Sequence, residues 1–240
     1  MRYLLILNLF LLTAYAKPVG KVIVEIPEAS GIGYCSNSDT LVVANDEGSY
    51  YEISPKGKIL QKTKLGNYDL EGVVCENSQM IFAIENKGIL TVERKRVKKE
   101  KITLDTKYNG KKLSLFNKKS GVEGIAKKGN RIYLSKQSNK KKKSFIAVVE
   151  LTPSSSRIVD LIEHRIADTA GLTFHEDYLY MVSDKEDLLI KYDIQKRKKV
   201  HKVKLGKGSW EGIAFDNQGF VYLADDDGKV YKYKKKSLGL

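Results

Sequence analysis

Short apolar runs alternate with polar turns along almost the whole chain, and the pattern repeats. Five segments share one opening, a small or acidic residue followed by glycine and an aliphatic: Ser30-Gly31-Ile32, Glu71-Gly72-Val73, Glu123-Gly124-Ile125, Ala170-Gly171-Leu172 and Glu211-Gly212-Ile213. A polar turn follows each, and then a second apolar run, such as Leu41-Val42-Val43-Ala44 or Phe220-Val221-Tyr222-Leu223-Ala224. Polar residues end that run in every unit: Asn45-Asp46, Glu85-Asn86, Ser135-Lys136, Ser183-Asp184 and Asp225-Asp226. A third alternating segment comes next, as in Lys229-Val230-Tyr231-Lys232-Tyr233, and a fourth closes most units, as in Lys199-Val200-His201-Lys202-Val203.

Four short strands in each repeat of a few tens of residues mark a propeller blade. The enrichment in β-branched and aromatic residues and the Gly/Asn/Asp turns agree, and no long stretch carries a helical period. The fold class is therefore all-β, a five-bladed β-propeller of four-stranded antiparallel blades. The last unit ends after three strands. Lys21-Val22-Ile23-Val24-Glu25-Ile26, which precedes the first repeat, alternates correctly to supply the fourth and so close the ring. The alternative, six blades, would need a degenerate blade inside the long spacing between Gly72 and Gly124. The repeated glycine lets innermost strands crowd near the axis.

The N-terminus reads differently. Met1-Arg2 is followed by a nearly continuous apolar run from Tyr3 to Leu12 and by Ala14-Tyr15-Ala16, an A-x-A cleavage site. This is the pattern of a secretory signal peptide over residues 1–16, too short to span a bilayer, ahead of a single domain over residues 17–240. The expected location is the periplasm, without a transmembrane segment in the mature form. A hydrophobic fraction of 42% with 14 tyrosines and only 4 prolines points to a folded domain.

Candidate chemistry lies in the carboxylates. Glu71, Glu123 and Glu211 occupy equivalent positions at the start of the innermost strands and should face the axis or one channel mouth. Asp69 and Asp168 lie just upstream in their units, and Asp46, Glu85, Asp184 and Asp225 end second strands. Three readings stand side by side. The glutamates latch neighbouring blades by accepting backbone N–H groups. They bind a ligand or a cation, with Glu71, Glu123, Glu211, Asp184 and Asp225 as the metal set and Ca²⁺ favoured by the hard oxygen donors. Or a pair of them works as acid and base. Asp225-Asp226-Asp227-Gly228 lacks EF-hand spacing and reads as a hairpin turn. His164, His175 and His201 fall in different units and make no zinc pattern. The chain carries no G-x-S-x-G elbow, P-loop or dinucleotide fingerprint, so no catalytic residue is named.

Cys35 and Cys75 lie four and three residues after their glycines. That parity allows consecutive blades to present them to each other. A disulfide needs Cα atoms within about 7 Å, and packed sheets stand about 10 Å apart, so both a disulfide and two buried small hydrophobes remain open. The formal charge is +14. Lysine runs at Arg94–Lys99, Lys140–Lys143, Lys196–Lys199 and Lys234–Lys236 are expected in outer strands and hairpins, away from the carboxylates. A basic rim suits an anionic surface, and export argues against nucleic acid.

Asp69-Leu70-Glu71-Gly72-Val73, Gly121-Val122-Glu123-Gly124-Ile125, Trp210-Glu211-Gly212-Ile213-Ala214-Phe215-Asp216 and Gly219-Phe220-Val221-Tyr222-Leu223-Ala224-Asp225, in this order and spacing, resemble the SdiA-regulated, YjiK/CarP-like family of exported β-propellers. The resemblance implies a periplasmic propeller linked to calcium and sometimes described as phytase- or esterase-like. Blade three departs from it, ending its second strand in Ser135-Lys136-Gln137-Ser138 without an acid. The function expected is a monomeric binding or scaffold protein for a small ligand or envelope component, with Ca²⁺ at the acidic channel. A Ca²⁺-dependent ester hydrolase and an envelope-surface protein using its basic rim are the alternatives.

Overall fold

The computed structural model describes residues 19–117, 120–152 and 155–240. The segment read as a signal peptide, residues 1–16, lies outside the described residues. Five four-stranded antiparallel sheets form a ring, a five-bladed β-propeller. Blade one comprises Ala29–Cys35, Thr40–Asn45, Ser49–Ile53 and Ile59–Lys64. The innermost strands of the next four are Leu70–Cys75, Val122–Lys128, Thr169–His175 and Trp210–Phe215. Among the described residues no helix is long and apolar enough to cross a membrane.

The second strands explain why the repeat is legible. Leu41 and Val43 pack toward blade five, while Val42 and Ala44 pack toward blade two. A strand buried on both faces reads as a continuous apolar run. The core is accordingly five clusters, each lying between two neighbouring blades. The fourth strands are mostly exposed, which is why their apolar pattern is weak.

Ring closure follows the expected route. Lys21–Glu25 pairs antiparallel with Lys229–Lys234, placing Val22 opposite Tyr231 and Glu25 opposite Lys229. The extra length between Gly72 and Gly124 holds no sixth blade. It forms a small hairpin, Lys107–Tyr108 with Lys111–Lys112, pinned to blade three by the Asp105 N–H donating to Ser156 Oγ at 3.0 Å.

Near the axis the blades touch through backbone. A β-carbon at Gly31 would stand 2.0 Å from Glu71 O, one at Gly72 2.6 Å from Ile125 N, and one at Gly124 1.9 Å from Ala170 O. Gly171 meets Glu211 O at 2.7 Å and Gly212 meets Ile32 N at 2.8 Å in the same way, so the contacts run once round the ring. The same crowding brings Cys35 and Cys75 within bonding range. They form a disulfide between blades one and two with Cα atoms 5.1 Å apart. It closes a loop with a sequence separation of 40. Reduction, or Cys75→Ser, should therefore cost about 2–4 kcal/mol. Chemical denaturation with and without reductant measures this, and Cys75→Ser should make the two curves coincide.

Strand direction fixes the faces. Every innermost strand starts at the mouth where the glutamates lie, so turns between second and third strands share that face and turns between third and fourth strands lie opposite. One lysine run therefore departs from the expectation. Lys140–Lys143 belongs to the turn between Arg131–Lys136 and Phe145–Thr152, on the acidic face. The other runs sit on or next to the opposite face.

Candidate cation site at the acidic mouth

Each innermost strand breaks register at the same place. Ala29 pairs with Asn45 and Gly31 with Ala44, leaving Ser30 unpaired between them. Glu123 is left out between Val122 and Gly124, and Glu211 between Trp210 and Gly212. Blades two and four shift register across Glu71-Gly72 and Ala170-Gly171. A bulge twists the strand locally and re-aims a side chain. The residue before each glycine is thus turned toward the axis, and three of these five positions carry glutamate.

A second tier comes from the residues just after the second strands: Asp46, Glu85, Gln137, Asp184 and Asp226. Blade three alone supplies no acid there, and the Lys136 side chain is buried beside Gln137, its Nζ donating to Gln137 O at 3.2 Å. Asp69 and Asp168 complete the set from the approaches to blades two and four. Asp168 holds a left-handed conformation, φ 50°, with its N–H donating to Ser138 O at 2.9 Å. Ligand oxygens of Asp46, Asp69 and Glu71 all lie within 4.8 Å of one another.

The latches that join blades are mostly other residues. Ser30 Oγ donates to Leu70 O, Ser135 Oγ to Ala170 O at 2.9 Å, and Glu85 Oε1 accepts the Gly121 N–H at 3.2 Å. Among the described residues no hydrogen bond reaches the carboxylates of Glu71, Glu123 or Glu211. Glu211 Oε2, Asp46 Oδ1 and Asp168 Oδ1 are buried oxygens without a partner. Asp225 is buried, with one oxygen accepting the N–H groups of Ser209 and Asp227 at 3.2 and 3.0 Å. It organises the turn, where Gly228 takes φ 92°, while Asp226 holds the tier position.

Burial and mutual repulsion push these acids up. Glu123 rises to about 8, chiefly through desolvation and then through Glu85 and Asp168. Asp46 rises to about 7 by desolvation, reinforced by Asp226 and Asp69 and opposed by the nearby Ser30 hydroxyl. Glu71 is held well above the carboxylate range by desolvation, with Glu123, Asp46 and Glu211 adding to it. Glu211 behaves alike, feeling Glu123 and Asp184. Each glutamate thus lies within electrostatic reach of another. Lys136 is lowered by burial and raised by Glu123 and Glu85, a tethered ammonium beside them.

The other axial mouth differs. A cavity of about 290 Å³ opens there between the ends of the innermost strands, with Tyr34, Lys127, His175 and Phe215 in its wall. His175 stacks on Phe215 at 4.4 Å and its Nε2 lies 2.9 Å from Lys235 Nζ. His164 is buried elsewhere, its pKa lowered to about 4 by desolvation, and His201 lies 3.3 Å from Leu238 O. The histidines do not meet.

A family model described as SdiA-regulated matches residues 9–234, nearly the whole chain. The chain belongs to the SdiA-regulated family. No curated protein matches it. Among solved structures, the crystal structure of Myxococcus xanthus glutaminyl cyclase superposes with a TM-score of 0.63 at 13% identity, covering 90% of this chain and 96% of that one. At that identity the likeness shows the shared fold alone. Within this SdiA-regulated propeller, sequence reasoning missed the bulges and the serine latches. Only the glycine after each bulge signalled them.

Proposed function

We propose that this propeller is an exported binding protein whose acidic mouth holds a divalent cation, Ca²⁺, and through it a small ligand. One observation carries the reading. Three carboxylates, Asp46, Asp69 and Glu71, bring oxygens within 4.8 Å of one another. Two oxygens on opposite sides of one Ca²⁺ stand about 5 Å apart, so the set spans one ion without rearrangement. Glu211 Oε2 and Asp46 Oδ1 add buried acceptors that lack a donor. A cation supplies what they lack, whereas zinc would draw on cysteine or histidine, which this mouth does not contribute.

Asp46, Asp69 and Glu71 would hold the ion, with Glu123 and Glu211 on the flanking blades three and five. A bound Ca²⁺ would supply positive charge able to receive an anionic group of a ligand. Lys136, on the adjacent blade three beside Glu123 and Glu85, would stand as a second, fixed positive charge. A hydrolase reading has one favouring observation: Glu123, raised to about 8, holds a proton at neutral pH and can donate it. Turnover of a phosphomonoester or carboxyl ester with Ca²⁺ present, lost in Glu123→Gln, would establish that reading.

The binding reading is tested by melting. At a concentration one hundred times its dissociation constant, Ca²⁺ should stabilise the protein by about 2.7 kcal/mol relative to EDTA. For a domain of this size that is a rise of roughly 5–10 °C. Mg²⁺, which demands a tighter octahedron, should give less. Identical melting curves in Ca²⁺ and EDTA would overturn the proposal.

A further inference from the structure

The two faces of the disc differ in charge. Turns between third and fourth strands emerge opposite the acidic mouth, at residues 54–58, 94–98 and 194–197, and the third strand of blade five ends at Lys234 on the same face. Lys56, Lys58, Lys95, Lys98, Lys234 and Lys236 are exposed there and have no acidic partner among the described residues. Three acids of the inner turns on this face are ion-paired, Glu76 with Lys127, Asp177 with Lys128 and Glu176 with Lys235, while Asp39 and Asp216 accept hydrogen bonds from the Tyr34 and Tyr222 hydroxyls.

A second, independent feature falls on the same side. Among the described residues, the exposed large hydrophobics are Val19 at 90%, Val22 at 40%, Ile59 at 45%, Leu60 at 51% and Val200 at 41%. Ile59 and Leu60 open the fourth strand of blade one, directly after its basic turn. Val200 lies near the start of the fourth strand of blade four. Val22 pairs with Tyr231 in the half of the closing strand nearest this face, and Val19 precedes that strand. The turn at Gly57 abuts Ile23, so the aliphatics of blades five and one are neighbours.

We propose that this face docks on an anionic lipid bilayer. The lysine turns meet headgroup phosphates, and Val19, Val22, Ile59 and Leu60 enter the interface between them. Lysine is a flexible point charge suited to a fluid array of headgroups. A nucleic acid duplex would ask for cations along one strip and would leave the exposed aliphatics without a role. Docked this way, the acidic mouth points away from the membrane and stays open to solvent. The orientation needs nothing from the cation site, so either can fail alone.

The test is sedimentation of the chain from Lys17 onward, which carries every strand of the ring, with vesicles of phosphatidylglycerol and phosphatidylcholine at 3:7. The same measurement on phosphatidylcholine alone is the reference. Binding should be at least about tenfold tighter to the anionic vesicles, and K95Q/K98Q should weaken it about 25-fold. K142Q/K143Q, the same change of charge on the acidic face, should alter it less than about twofold. I59S/L60S should remove the fraction of binding that survives high salt, because aliphatic insertion is not screened. An equal loss in K142Q/K143Q would overturn the proposal, since it would mean net charge alone drives binding. So would equal binding to neutral vesicles. Tighter binding to duplex DNA than to the anionic vesicles would transfer the face to nucleic acid and contradict the membrane assignment.

Discussion

Gly124→Ala should lower the melting temperature by about 10 °C or prevent folded protein from accumulating. A β-carbon there would stand 1.9 Å from Ala170 O and 3.0 Å from the same carbonyl carbon. Both are backbone atoms of the next blade, so no side chain can swing aside. Forcing the strands apart breaks a contact repeated once at every blade junction, and overpacking of this kind costs about 3 kcal/mol or more. In a domain of this size each kcal/mol shifts the midpoint by about 2–4 °C. Gly31→Ala, 2.0 Å from Glu71 O, should behave alike. Gly206→Ala is the matched control. Nothing lies within 4 Å of its β-carbon position, so its midpoint should stay level or rise slightly. Equal midpoints for Gly124→Ala and Gly206→Ala would show that the blades do not close through these glycines.

The second large effect is a dependence on pH set by the buried acids. Glu123 holds its proton up to about 8 in the folded protein, against an ordinary value of 4.5. The folded state therefore binds more protons than the unfolded chain between those values. Its contribution to stability is complete below pH 4.5 and is lost as pH rises through about 8. Each unit of upward shift amounts to about 1.4 kcal/mol. Glu123→Gln removes the ionisable group and keeps the shape. In EDTA the variant should match the wild type near pH 4.5 and melt several degrees higher near pH 8.5. Glu71→Gln and Glu211→Gln should move in the same direction, since burial and mutual repulsion raise those acids too. A variant less stable than the wild type at pH 8.5 would mean that the carboxylate works as a latch after all.

Much of this architecture is legible in the sequence, for physical reasons. Second strands such as Leu41-Val42-Val43-Ala44 are buried on both faces and stand out as apolar runs. The glycines stand out because backbone meets backbone at the axis. The N-terminal closing strand shows itself through alternation and through the missing strand in the last unit. The site is legible only in part. Glu71, Glu123 and Glu211 share a position in the repeat, which suggests convergence. That each sits at a bulge is invisible, because a bulge inserts one residue without changing the composition around it. Ser30 and Ser135, which take over latching, look like ordinary strand serines. Cys35 and Cys75 were undecidable because a disulfide and an ordinary sheet spacing differ by a few ångströms, and only the axial crowding resolves them. The charge of the two faces was hidden for another reason. Lys140–Lys143 and Lys234–Lys236 look equivalent along the chain and separate only when strand direction is followed through each blade.

The central claim is that the acidic mouth is a cation site, and Ca²⁺ titration calorimetry at pH 7 tests it most directly. Two buffers of different ionisation enthalpy should be used. Asp46 and Glu123, at about 7 and about 8, are partly or largely protonated there, and a bound cation would drive those protons off. The account predicts saturable binding of one Ca²⁺, a heat that differs between buffers because protons are released, and loss of binding in Glu71→Gln. No saturable heat in either buffer, or full binding retained in Glu71→Gln, would contradict it.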